Sequence, residues 1–270
     1  MLPLVVPASV QSTVQGWALS GAAYASKRLT VSGGPLALDI GNSDMSLYLN
    51  SAGGTSAQIR EYSMSVAGDI STAVYSGKQL DASSQVSSAV GLRCKPDGAA
   101  VYILGAAGVA YQYTLGTPWD LSTGSYASKS LSVAAQEAQP KSLAFSADGS
   151  KMYVVGINND TVYQYTLGTP WDLSTGSYAS LSKSISAQTT GADGLYVKPD
   201  GSKMFLVFDG GEVYEYALGT AGNVSTAVYS SISVDTSTQG TTFRDITFDS
   251  TGFNFYMPDT FTGKIYQYSL

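Results

Sequence analysis

Seven polar residues of this sequence have the means to do chemistry: Asp39, Arg93, Lys141, Asp193, Tyr196, Arg244 and Asp245. Each departs from a repeating pattern within two positions of a recurring Leu or Ile. A fold built from repeats does not dictate such departures, so these seven are candidate ligand-binding residues. The three carboxylates could divide the acid and base roles of glycoside hydrolysis. The mixed-charge set could equally form a polar pocket or ion-paired walls. The sequence contains no histidine, which removes the commonest general base and the commonest transition-metal ligand. Cys94 is the sole cysteine, so no intramolecular disulfide is possible. Neither Gly-x-x-x-x-Gly-Lys-Ser/Thr nor Gly-x-Gly-x-x-Gly opening a helix occurs. The Lys-Pro-Asp-Gly turns at 95–98 and 198–201 lack the acidic spacing of a calcium loop. The expectation is a protein that is not an enzyme and has no cofactor and no metal.

A repeat positions these residues. Residues 111–131, YQYTLGTPWDLSTGSYASKSL, return almost verbatim at 163–182. In that register weaker copies emerge, marked by Glu61-Tyr62, Gln112-Tyr113, Gln164-Tyr165, Glu215-Tyr216 and Gln267-Tyr268. A second tyrosine follows the first four markers: Tyr75, Tyr126, Tyr178 and Tyr229. The fifth copy breaks off at Leu270, and its missing part lies at the other end of the chain. Residues 17–31, WALSGAAYASKRLTV, align without gaps on 119–133, WDLSTGSYASKSLSV. Upstream, LRCKPDGAAVYIL, LAFSADGSKMYVV and LYVKPDGSKMFLV each place Asp-Gly between apolar runs, a hairpin signal. LDIGNSDMSLYL and ITFDSTGFNFYM are degenerate versions.

Each unit thus predicts four antiparallel strands, and five units with one split across the termini predict an all-β, five-bladed β-propeller. Residues 17–270 form it, with the last blade closed by the N-terminal strand; residues 1–16 are an arm. The first strand of each blade lines the central channel, which puts the seven candidates near one of its ends. Aromatics ten residues after the leading Leu or Ile (Tyr48, Tyr102, Tyr153, Phe205, Tyr256) fill space between sheets. Trp17, Trp119 and Trp171 match Gly68 and Gly222 in the other units. They read first as turn residues and second as a rim for glycan or protein.

The net charge of −6 argues against a nucleic-acid partner and against docking on an anionic membrane. No apolar stretch is long enough to span a bilayer. The short apolar start at 1–10 lacks the basic flank of a secretory signal. Low charge and a Ser/Thr-rich surface suit a protein working outside a cell.

The unit Leu-x-Phe-x-x-Asp-Gly-x-Lys-Met-Tyr-Val…Val-Tyr-Gln-Tyr-x-Leu resembles the propeller repeats of the YVTN and lactonase-like superfamily. The version Val-Tyr-Gln-Tyr-Thr-Leu-Gly-Thr-Pro-Trp-Asp-Leu-Ser-Thr is similar to repeats in structural and tail-associated proteins of tailed bacteriophages. The resemblance covers 17–270. It implies a virion-surface module, a receptor-binding tail component or a capsid decoration protein. Its implied partners are other virion structural proteins and a host surface glycan. The blade count is also similar to that of tachylectin-type lectins, which implies the alternative of a multivalent carbohydrate-binding protein. Lactonase-like enzymes bind their metal partly through histidine, which this chain lacks.

Overall fold

The computed structural model describes residues 16–51, 57–188 and 190–270. The expected arm, apart from Gly16, lies outside them. Among the described residues, alternating and continuous apolar runs resolve into twenty strands in five four-stranded antiparallel sheets. Blade one holds β2 (Pro35–Gly41), β3 (Ser46–Ser51), β4 (Gln58–Met64) and β5 (Ala73–Asp81). Blade two holds β6 (Ala89–Cys94), β7 (Ala100–Gly105), β8 (Val109–Leu115) and β9 (Gly124–Ser132). Blade three holds β10 (Pro140–Phe145), β11 (Lys151–Gly156), β12 (Thr161–Leu167) and β13 (Gly176–Ser184). Blade four holds β14 (Ala192–Val197), β15 (Lys203–Phe208), β16 (Glu212–Leu218) and β17 (Ala227–Asp235). Blade five holds β18 (Thr247–Phe248), β19 (Asn254–Asp259) and β20 (Lys264–Ser269), and β1 (Ala23–Thr30) completes it. Tyr24 pairs with Tyr268 and Thr30 with Lys264, so the two ends of the chain share one sheet.

The strands differ in sequence because they differ in burial. The second strand of each blade is covered on both faces and reads as a continuous apolar run, as in fully buried AVYILG of β7. The outermost strands alternate between half-buried and exposed positions, as in β9 and β13.

Neighbouring blades are joined by a repeated clasp. The connection into each outermost strand contains a one-turn 3-10 helix whose first residue (Leu19, Ile70, Leu121, Leu173 or Val224) is fully buried. Its N–H has no partner within the turn. The Glu or Gln that marks each repeat supplies one from the preceding blade. Glu61 accepts from Leu121 N–H (3.3 Å), Gln112 from Leu173 (3.2 Å) and Gln164 from Val224 (3.1 Å). Glu215 accepts from Leu19 (3.4 Å) and Gln267 from Ile70 (3.2 Å), which carries the clasp across both termini. A buried hydrogen bond of this kind is worth about 1 kcal/mol.

The buried aromatic of the second strand makes a parallel tie. Tyr48, Tyr102, Tyr153 and Tyr256 donate their hydroxyls to the carbonyls of Trp119, Trp171, Gly222 and Gly68 in the next blade, at 2.7–3.0 Å. Blade four has Phe205 there and no hydroxyl. Lys203 Nζ, two residues earlier, donates to the Trp17 carbonyl instead (3.0 Å).

A third contact, nearer the surface, varies in step on both sides. Lys78, Lys129 and Lys27 reach the residue that caps the next blade's 3-10 turn: Asp120 (3.0 Å), Asp172 (2.6 Å) and Asp69 (2.7 Å). Leu181 and Ile232 occupy the lysine position in blades three and four. The caps they would face are Asn223 and Ala18. Lysine occurs only where the next blade offers a carboxylate.

Candidate functional site

The central channel is lined by β2, β6, β10, β14 and the segment that includes β18. The seven candidates depart from this lining at three depths, best described from the recurring Leu38, Leu92, Leu143, Leu195 and Ile246. One residue before these, the chain carries Ala37, Gly91, Ser142, Gly194 and Asp245. Four small residues leave room at the axis, and a Cβ on Gly194 would come within 2.8 Å of the Asp245 backbone. Arg93 fills that room. Its guanidinium meets Asp245 with both terminal nitrogens (2.8 and 3.0 Å). It also donates to the carbonyls of Leu38, Leu92, Leu195 and Ile246. Asp245 accepts in addition from Ser142 Oγ (2.9 Å) and Leu38 N–H (3.3 Å). All five blades are therefore tied together at one buried ion pair. Burial pushes the Asp245 carboxyl up, and Arg93 opposes that shift.

Lys141, Asp193 and Arg244 lie two residues before the recurring apolar position, displaced along the strands away from the cavity-lining candidates and partly exposed at Lys141 and Arg244, rather than with the others near one end as the sequence suggested. Lys141 and Asp193 are each the extra residue of a β-bulge, skipped in the pairing of β10 with β11 and of β14 with β15. A bulge re-aims its side chain. Each of the three precedes Phe145, Val197 or Phe248 by four positions, which is about 13 Å along an extended strand. Arg244 pairs with Asp193 (3.0 Å). Burial raises the Asp193 carboxyl, with Arg244 and Lys141 opposing.

The upper level is a cavity. The two residues after each recurring apolar position all line it: Asp39-Ile40, Arg93-Cys94, Ala144-Phe145, Tyr196-Val197 and Thr247-Phe248. Its volume is about 370 Å³, within the ~300–1,000 Å³ of small-molecule sites. Trp17, Trp119 and Trp171 form its upper wall. Tyr196 stacks on Trp17 (5.6 Å) and Phe145 lies against Trp171 (5.3 Å). Of the seven candidates, Asp39, Arg93 and Tyr196 line this cavity, with Asp245 directly bonded to Arg93. Asp39 is buried and accepts from Cys94 N–H (2.8 Å), Thr247 Oγ1 (2.9 Å) and Ile40 N–H (3.0 Å). Burial raises the Asp39 carboxyl, and Arg93 pulls it back. Burial also raises the Cys94 thiol, which disfavours its nucleophilic thiolate.

The tryptophans hold an unusual backbone. Trp17, Trp119 and Trp171 have φ of 73°, 68° and 64°, and Gly68 and Gly222 have 68° and 66° at the matching positions. The turn requires the left-handed region, which glycine enters freely and a bulky residue at about 1–2 kcal/mol. Each indole lies over the turn glycine of its own blade. A Cβ on Gly98, Gly149 or Gly252 would fall 2.1–2.4 Å from the ring. The turn residue and the rim residue are thus the same tryptophan. Blade one contributes a second strained segment, since Asn42, Ser43 and Asp44 have φ of 55°, 56° and 63°. Asp44 accepts from Ser250 N–H and Oγ (2.9 and 2.6 Å), which fixes that segment to blade five at the cavity rim. Sequence reasoning missed Phe145, Phe248 and this segment. The signal was present in the second residue after the recurring Leu or Ile, and in the only first-to-second-strand turn without glycine.

No family model matches the chain, and no curated protein does. Its fold is similar to that of a Lactobacillus plantarum protein, with a TM-score of 0.51 and 17% identity over 83% of this chain and 63% of that one. It is also similar to a functionally unknown protein from Desulfotomaculum acetoxidans, with a TM-score of 0.52 and 11% identity over 83% of this chain and 64% of that one. The chain spans just under two thirds of either. At such identity the likeness shows the β-propeller fold alone.

Proposed function

We propose that this chain is a non-enzymatic propeller of a tailed-bacteriophage particle, a receptor-binding or decoration protein whose channel mouth recognises a terminal sugar of a host glycan. The observation that carries the ligand reading is the trio of strained tryptophans around one cavity. Gly68 and Gly222 satisfy the same turn without strain, so indoles at the other three positions serve something the side chain does. Aromatic faces stack on the C–H faces of sugar rings, and the cavity has room for a small ligand. Of the three carboxylates that acid–base chemistry would need, Asp245 is engaged with Arg93 and Asp193 with Arg244, which leaves Asp39 alone of the three. The virion placement is supported by the resemblance of the repeats at 111–131 and 163–182.

A glycan array followed by calorimetry tests the ligand reading. One sugar per chain is expected, since the cavity is axial. Five per chain would favour the multivalent lectin. Trp171→Gly, which copies the residue of blades one and four, should leave the protein folded and weaken binding about tenfold or more. A blank array, together with absence of the chain from antibody-labelled particles, would overturn the proposal.

A further inference from the structure

We propose that the channel-mouth cavity takes an amine-bearing sugar residue and excludes acidic ones. This deepens the glycan reading and rests on it. Arg93 is the cationic side chain of the lining, and its two terminal nitrogens are committed to Asp245 and to four backbone carbonyls. Its charge is cancelled from below. Of the lining carboxylates, Asp44 and Asp249 have no such cancellation, because their partners are neutral donors, and Asp39, also hydrogen-bonded by neutral donors, feels Arg93 only through space. Asp39 is held by two amides and a hydroxyl, and Asp44 by Ser250. Asp249 is held by Thr251, Phe253 N–H and the Asn254 side chain. The lysines of adjacent turns face elsewhere, Lys95 to Asp97 (2.6 Å) and Lys198 to Asp200 (2.7 Å).

The cavity therefore carries uncompensated negative charge within aromatic walls. That combination attracts a cation twice, through the carboxylates and through the negative faces of the indoles. A purely apolar cation is a poorer fit. Arg93 is 5% exposed and its Nε–H is closed off from the cavity, so polar partners for a ligand come from the lining carboxylates, which accept from hydroxyls as well as from an ammonium. Hydroxyls beside an ammonium describe an amino sugar. An acidic sugar would instead have to use Arg93, whose fork is already occupied.

Calorimetry at low salt with glucosamine, N-acetylglucosamine and glucuronate tests this. Glucosamine should bind about tenfold more tightly than its acetylated form, and glucuronate most weakly. Asp39→Asn removes the charge while keeping one acceptor oxygen, for Cys94 N–H, with the amide nitrogen turned to Thr247, and should erase the glucosamine advantage. Asp44→Asn, at the exposed rim, should reduce it without touching the floor. Equal binding of glucosamine and N-acetylglucosamine, abolished for both by Trp171→Gly, would overturn the charge selection and leave the glycan reading standing. Preference for glucuronate would overturn it in favour of an anion site at Arg93. If none of the three binds while the array reports other sugars, the amine assignment alone is overturned. A blank array removes the glycan reading as well.

Discussion

Arg93 and Asp245 set the largest single-residue stake in the molecule. Removing one partner leaves an unpaired charge at the axis, and breaking a buried pair typically destabilises by about 3–5 kcal/mol. Arg93→Met should lose that much in chemical denaturation, and adding Asp245→Leu should recover most of it. A single mutant within 1 kcal/mol of wild type would show that the pair is not what holds the axis. The Lys203 substitution for a missing hydroxyl is equally checkable. Lys203→Met should cost about 1–3 kcal/mol, since it frees the Trp17 carbonyl and leaves buried Glu215 without its cation. Phe205→Tyr should restore the carbonyl's share, seen as a favourable coupling in a double-mutant cycle. Part of this was legible beforehand. The departures from the repeat named Arg93 and Asp245, but their partnership was hidden. It appears only when the position before each recurring Leu or Ile is read around the ring: four small residues, one Asp, and a facing Arg.

At the scale of elements, the caps and their lysines act as a unit. The Ser122 hydroxyl and Lys78 hold the Asp120 carboxyl below the usual range, and Lys129 and Ser174 do so for Asp172. At Asp69, burial pushes upward but Lys27 and Ser71 outweigh it. A carboxyl depressed by folding stabilises the fold above its unfolded pKa of about 3.9. That contribution disappears as pH falls through the lower folded value. The melting temperature should therefore drop below about pH 4, and less steeply in Asp120→Asn and Asp172→Asn. A slope unchanged in both variants would rule these caps out as its source. Installing the missing pair with Leu181→Lys and Asn223→Asp should add no more than about 1 kcal/mol and should fade in high salt. The strands themselves were readable from the tyrosine spacing and the Asp-Gly turns. The covariation of lysine with aspartate was also in the sequence, offset by one repeat. It becomes visible only once each blade is compared with the next one rather than with itself.

For the whole molecule, closure through β1 is the defining property. Joining Leu270 to Trp17 by Gly-Thr-Pro reproduces the spacing of Leu115 to Trp119, and new ends can be opened in the exposed linker near Ala135. This circular permutant should fold and melt no lower than the parent. Deleting β1 strips blade five of its outer strand and should broaden the unfolding transition. A permutant that fails to fold would show that strand order matters beyond pairing. The split repeat made the closure readable from sequence. The cavity was not, because its walls are drawn from residues far apart in the chain that meet only at the axis.

The clasps at each junction are interchangeable, so none of them can sense how many neighbours the ring contains. The nearly verbatim repeats at 111–131 and 163–182 mean that a unit could be removed or added without changing the chemistry of a junction. Only the Arg93–Asp245 pair contacts the circle as a whole, the guanidinium reaching blades one, two, four and five and the carboxylate reaching Ser142 of blade three, and its partners are matched to a ring of one size. A shortened or lengthened descendant would present it with the wrong number of partners. The pair thus works as a gauge, fixing the tally at five where the modular surfaces around it are indifferent.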